Sequence, residues 1–272
     1  MLKPGFNENL LKAGRLFYGL GIVALGILQF IYSDFRPVVL PPSWPSWMHG
    51  TIQAYIAGAA LVIAGVFIAA GIKARHTSLY LGGFLFIFFL VFQVSFTLFV
   101  QPNSPKHLGL WTDPLKELAL SGGAFVMAGS FLHEQQNNKN FLISLFEKLI
   151  PAGRIFFSIM MIAFGLDHFY YTQFVFTLVP SWIPGAEFWM YFGGIALIGS
   201  GVCIILKIKL QLIAVLAGIM LFLWFIFLHI PRAVTDPYID KGNEITSVIE
   251  ALVFSGIAFV IAAMYKNKNS RI

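Results

Sequence analysis

The chain has one cysteine among its 272 residues, few charged residues and no run in which polar and apolar residues alternate for long. The single thiol, Cys203, excludes an internal disulfide and a paired-thiol redox centre. Charged residues make up 11% of the chain against 58% hydrophobic ones, and the mean hydropathy is +0.80. That is too little polar surface to clothe a soluble domain of this length. A transmembrane β-barrel would show segments of alternating polarity about ten residues long. The apolar runs are instead continuous and glycine-rich, as in Phe192-Gly193-Gly194-Ile195-Ala196-Leu197. Backbone polar groups in lipid must be satisfied within their own segment, so these runs are helices. There is no recognisable nucleotide, flavin or metal motif, and no proline interrupts the middle of an apolar run. No charged leader with a short apolar core and a small-residue cleavage site precedes the first run, so that run is expected to be retained.

A helix needs about 20 apolar residues to cross roughly 30 Å of hydrocarbon. Eight stretches qualify, near 16–33, 52–71, 79–100, 115–132, 153–172, 187–206, 210–230 and 246–265. They fall into two copies of one four-span unit. Ala13-Gly14-Arg15-Leu16-Phe17 returns as Ala152-Gly153-Arg154-Ile155-Phe156, and Pro45-Ser46-Trp47 returns as Pro180-Ser181-Trp182. Ser121-Gly122-Gly123-Ala124-Phe125-Val126 returns as Ser255-Gly256-Ile257-Ala258-Phe259-Val260. An even number of spans per copy makes the repeats parallel, related by an axis along the membrane normal. The expected fold is all-α integral membrane: eight transmembrane helices as two parallel-repeat four-helix bundles, in residues 1–132 and 149–272, joined by a polar linker over 133–148. Within the linker, the amphipathic stretch from Phe141 is expected to lie along the inner leaflet.

Basic residues orient the chain. With the amino terminus inside, Lys3, Lys12, Arg15, Lys73, Arg75, Lys139, Lys148, Arg154, Lys207, Lys209, Lys266, Lys268 and Arg271, 13 of the 18, fall on the cytoplasmic side. The remaining five, Arg36, Lys106, Lys116, Arg232 and Lys241, fall outside. This satisfies the positive-inside rule with both termini cytoplasmic. The net charge of +6 follows from that topology and from contact with anionic headgroups, and gives no reason to expect nucleic acid.

The copies differ where chemistry could reside. Gln29 stands opposite His168, Gln93 opposite His229 and Thr51 opposite Glu187. In the second copy Asp167-His168 closes the fifth span, Glu187 opens the sixth, His229 closes the seventh and Glu244 precedes the eighth, so four span ends are expected to line one outer cup. His168, His229 and Glu187 are metal-ligand types without metal-ligand spacing, so no metal is expected. The fuller reading is a quinone or similar amphipathic ligand, with His168 and His229 exchanging protons with its head and Glu187, Asp167 and, more weakly, Glu244 as acidic partners. Trp182 is placed with the ligand contacts, its alternative role being an interfacial anchor like the neighbouring tryptophans. Two structural expectations accompany these. Arg15 and Arg154, matched in both copies, are expected to anchor phosphate or cap a neighbouring helix. Lys116 and Glu250, opposite each other under the repeat, are expected to pair between halves.

The pattern resembles the DoxX family of four-helix membrane proteins, written twice. The resemblance rests on Gly153-Arg154, Gly165 with Asp167-His168-Phe169, the Pro180 loop, Glu187 with Gly193-Gly194, His229, and Pro237 with Asn243-Glu244. It implies a compact four-helix bundle per copy, a place in the bacterial inner membrane, and a role as a quinone-linked membrane subunit beside a soluble or membrane redox partner. A small-molecule carrier and a non-catalytic scaffold are the alternative functions.

Overall fold

Because the apolar runs must satisfy their own backbones, helices account for the architecture. The computed structural model describes residues 4–42, 44–101, 107–131 and 140–265, and contains no strand among them. Its α-helices are α1 (Pro4–Tyr32), α2 (Thr51–Ala70), α3 (Ala74–Phe88), α4 (Thr112–Ser130), α5 (Phe141–Glu147), α6 (Ile150–Tyr170), α7 (Thr172–Leu178), α8 (Ala186–Leu206), α9 (Leu210–Trp224), α10 (Ile230–Thr235) and α11 (Asn243–Met264). Seven helical stretches are long and apolar enough to cross a membrane: α1, α2, α3 with its extension to Val100, α6, α8, α9 continued through α10, and α11 from Ile239.

The sequence leads to eight such stretches, and the difference is α4. Its first two turns carry Asp113, Lys116 and Glu117, yet every residue from Leu118 to Ser130 is buried. In α11 the run from Val253 to Ala262 is buried in the same way. These two helices are covered on all sides, as a helix apolar around its whole circumference must be. The other long helices expose one apolar flank, including Leu16, Ile56, Ile195 and Leu212.

Packing follows the repeated glycines. A Cβ added at Gly122 of α4 would lie 2.5 Å from the carbonyl oxygen of Gly153 on α6, and one at Gly14 of α1 would lie 2.7 Å from that of Gly256 on α11. Small residues at such crossings let backbones touch. The first helix of each sequence copy is thereby locked to the last helix of the other copy. Further glycines bring α1 against α2 at Gly26 and Gly58, and α6 against α8 at Gly165 and Gly194. Ser121 Oγ donates to Gly82 O (2.9 Å) between α4 and α3, and Ser255 Oγ to Gly218 O (2.8 Å) between α11 and α9.

The helices consequently close into one ring in the order α1, α2, α3, α4, α6, α8, α9, α11, with α4 and α11 also touching across it. The main buried core draws on both halves, from Tyr18 to Ala262. The two separate four-helix bundles expected from the sequence are not formed: a Gly-to-Gly contact spends the docking face of α1 on α11, and that of α6 on α4.

At the end of the bundle opposite the histidines, the matched arginines cap helices, but not equivalent ones. Arg154 Nη1 donates to the carbonyls of Ile204 (2.7 Å) and Ile205 (2.8 Å) at the end of α8. Arg15 donates to Ser130 Oγ (2.9 Å) and Ser130 O at the end of α4, stacking over Phe131. Cations on terminal carbonyls also complement the helix dipole. Residues 133–139 of the linker lie outside those described, but its amphipathic stretch forms α5, which buries Ile143 and Phe146 beside Leu79 of α3.

If backbone contact sets the arrangement, Gly122→Ala and Gly14→Ala should each destabilise the protein by about 1–3 kcal/mol through overpacking. Gly199→Ala, where an added methyl meets nothing within 4 Å, should be neutral or stabilising. Thermal unfolding in a mild detergent distinguishes these outcomes.

Candidate functional site

The site begins with a local irregularity. Phe225–His229 forms a π-helical turn between α9 and α10, and Phe89–Gln93 forms one at the matching place after α3. In an unbroken α-helix, residues five apart point about 140° away from each other. A π turn carries more residues per revolution, so His229 is rotated away from where a continuing α-helix would place it. Such turns concentrate at functional positions. Pro231 follows His229 and could account for one of them, since proline clashes with the carbonyl four residues earlier. The matching position in the first half is Ser95, however, so proline is not the common cause.

His168, at the end of α6, stacks against Trp224 with ring centroids 6.2 Å apart. Its Nδ1 lies 2.8 Å from Phe164 O. A carbonyl can only accept, so in the neutral ring the proton sits on Nδ1 and Nε2 is left as an acceptor. His229 has its Nδ1 enclosed without a partner. Asp167, next to His168, has Oδ1 enclosed without a partner. It also sits at the carboxyl end of α6, where the helix dipole disfavours negative charge.

Glu187 does not join this group. It is exposed at the start of α8, in an open hollow of about 350 Å³ with Thr172, Gln173, Phe176, Met190 and Tyr191. No hydrogen bond or ion pair connects it to either histidine among the described residues, because the short helix α7 and its loop carry it to the rim. Trp182 is exposed and meets Phe227 edge-on with centroids 6.1 Å apart. Glu244 is committed to Arg232, which grips it with two nitrogens, Nε lying 3.0 Å from Oε2. The cup expected at four span ends is therefore divided: His168 stacks on Trp224 with Asp167 beside it, His229 lies near Lys116 and the Arg232–Glu244 pair, and no hydrogen bond or ring contact joins the two histidines among the described residues. Among the described residues, no group of three or more His, Cys, Asp or Glu could hold a metal ion.

A charged seam runs from His229 to the crossing of the two halves. Lys116 Nζ on α4 lies 2.9 Å from Glu250 Oε2 on α11 and 3.5 Å from Asp113 Oδ1. The pair expected between the halves is formed, and both partners are largely buried. His229 lies in the field of Arg232, Lys116 and Glu244. Arg36, buried in the loop after α1, donates to Thr246 Oγ1 (3.0 Å) and Lys241 O (2.8 Å). Burial pushes its guanidinium below the usual arginine range, against the pull of nearby acidic groups that include Glu250, Asp34 and Asp113. Arg36, Arg232 and Asp113 are the members that sequence reasoning passed over. Their charges were visible, but the contacts that gather them join distant parts of the chain.

The first half closes the same place with its own chain. Gln93 Nε2 donates to Pro37 O (2.7 Å), and Phe35, Val38, Val39 and Leu40 of the following loop are buried over it. Asp34 clasps that loop through His49 (3.0 Å) and Lys241 (3.2 Å). Burial raises its carboxyl, but bonds from His49, Lys241 and the Phe35 amide outweigh burial and hold it below the ordinary aspartate value. In the second half the corresponding loop buries little of itself, with Ser181, Trp182 and Pro184 all exposed.

Removing one member of the Lys116–Glu250 pair should cost about 3–5 kcal/mol, because it strands a buried charge. Lys116→Met should hurt more than Glu250→Gln, since Asp113 still faces Lys116 in the second variant. The double variant should be more stable than Lys116→Met alone, as read by thermal unfolding. Comparison with family models, with curated proteins and with solved structures finds no match for this chain.

Proposed function

We propose that this chain is an eight-span protein of the bacterial inner membrane, a doubled four-helix unit of the DoxX type with both termini cytoplasmic. In this reading α4 is the eighth span, admitted to the membrane because α3, α6 and α11 cover it. Its second half binds a quinone or comparable lipophilic redox partner from the outer leaflet. The observation that carries the proposal is His168 stacked on Trp224 with its Nδ1 on Phe164 O, which leaves Nε2 as an acceptor. In this reading His229, whose Nδ1 is enclosed without a partner, presents Nε2–H as the complementary donor.

That arrangement suits a ring bearing oxygens that change from carbonyl to hydroxyl. Reduction of a quinone takes up two electrons and two protons, and oxidation of the quinol returns them. His229 donates to a carbonyl oxygen, and His168 accepts from a hydroxyl. Asp167 is the acid next to His168 that can relay protons. Glu244 acts indirectly, by fixing Arg232 and with it the field at His229. The electrons come from a partner subunit, since this chain carries no motif for a flavin, haem or iron–sulfur group.

Gently extracted protein should retain quinone in native mass spectrometry. His229→Ala should weaken retention about tenfold, the worth of one good hydrogen bond. His229→Gln keeps a donor, as Gln93 does in the first half, and should retain quinone while losing proton-coupled turnover. Protein that retains no quinone, or retains it equally in the alanine variant, would contradict the proposal.

A further inference from the structure

The first half holds a second ionisable position that the quinone reading does not use. Glu117 on α4 is fully buried, and neither of its carboxyl oxygens has a hydrogen-bond partner. One helical turn away on the same face of α4, Ser121 bonds to Gly82 of α3, so Glu117 looks onto the α3–α4 contact. One turn in the other direction stands Asp113, half-exposed at the histidine end. Asp113, Glu117 and Ser121 thus form a file at four-residue spacing. On α3, Ser78 is fully buried with its hydroxyl unpartnered, and beyond it Arg75 bonds Ala128 O (3.0 Å) and Glu147 (2.7 Å) near the opposite end.

The other half lacks this file. With Ser121 set against Ser255 and Gly82 against Gly218, Ala251 stands opposite Glu117 and Ala214 opposite Ser78. Gln211 stands opposite Arg75 and bonds Asn7 (3.0 Å) where Arg75 bonds Glu147. The helix packing is the same with alanine in these places, so the file is not needed for packing. The second half keeps histidines at one end; the first half keeps a carboxyl at depth.

We propose that Glu117 is a proton-binding site in the membrane interior, loaded from the histidine end along α4 through Asp113. An ionised carboxylate there would have no cation or N–H to hold it, and such a group carries its own proton instead. The charged groups around it are otherwise engaged. Lys116 turns to Glu250 and Asp113, Arg36 to Thr246 and Lys241, and Arg75 to Glu147. Of the helices packed against α4, α3 and its extension carry no charged side chain between His76 and Val100, α6 none between Arg154 and Asp167, and α11 none after Glu250. The site takes up one proton and releases it unchanged, so no co-reactant is required. It is independent of the quinone reading.

A neutral buried carboxyl adds across dicyclohexylcarbodiimide and keeps the whole reagent, because nothing leaves. Whole protein in lipid nanodiscs should therefore gain one reagent mass on the peptide containing Glu117, less at higher pH and not with a water-soluble carbodiimide. Glu117→Gln should lose the adduct together with one neutral-carboxyl infrared band. In Asp113→Asn that band should exchange with deuterium severalfold more slowly. An adduct elsewhere, or wild-type protein with neither adduct nor band, overturns the site. Exchange unaffected by Asp113→Asn overturns the loading route.

Discussion

Backbone contact between glycines of different halves is the constraint on which the rest depends. Gly14 against Gly256, and Gly122 against Gly153, leave no room for a side chain at either crossing. The first helix of each half is held to the last helix of the other, and α4 and α11 become the shared interior. A dry, close-packed interior of this kind makes an unpartnered polar group costly. Ser121 and Ser255 solve that locally by bonding carbonyls across the helix contacts. Many of the larger polar side chains that pair with one another collect at the histidine end.

There the two halves meet through charge instead of glycine. Lys116, Asp113 and Glu250 lie across the junction of α4 and α11, and Arg36 reaches in from the loop after α1 to the start of α11. A buried ion pair contributes little net stability compared with a good apolar packing. It does fix register, because sliding α4 against α11 would strand both charges. The seam also sets the field around His229, which connects the architecture to the proposed chemistry. A protein whose halves were independent bundles would have no such link.

Much of this was legible in the sequence. The repeated Ala-Gly-Arg and Ser-Gly segments mark the faces that dock, and the position of Lys116 opposite Glu250 implies their pairing. What those segments do not reveal is the exchange of partners, since contact within a copy and contact between copies leave the same glycines. Glu187 lies apart from the histidines because spacing along a helix gives depth but not direction, and α7 turns the chain toward the rim. The π turns ending at Gln93 and His229 have no compositional signal of their own, and Ser95 shows that proline does not mark them both. Gln29 and Gln93 read as losses of ionisable groups. Glu117 shows that the first half kept a different one.

The two halves thus differ in how they finish a common frame. One covers its end with its own loop, Pro37 taking the bond that Gln93 offers. The other leaves the corresponding loop, with Ser181, Trp182 and Pro184, exposed. The central claim is that this second end is shaped for a molecule that is not part of the chain. Electron cryomicroscopy of the protein in nanodiscs made with native lipid tests it most directly. Extended density between His168, Trp224 and His229, ending within hydrogen-bond distance of His229 Nε2, is the expected result. Continuous side-chain packing there, with the loop around Trp182 folded in as the loop around Pro37 is, would contradict the account.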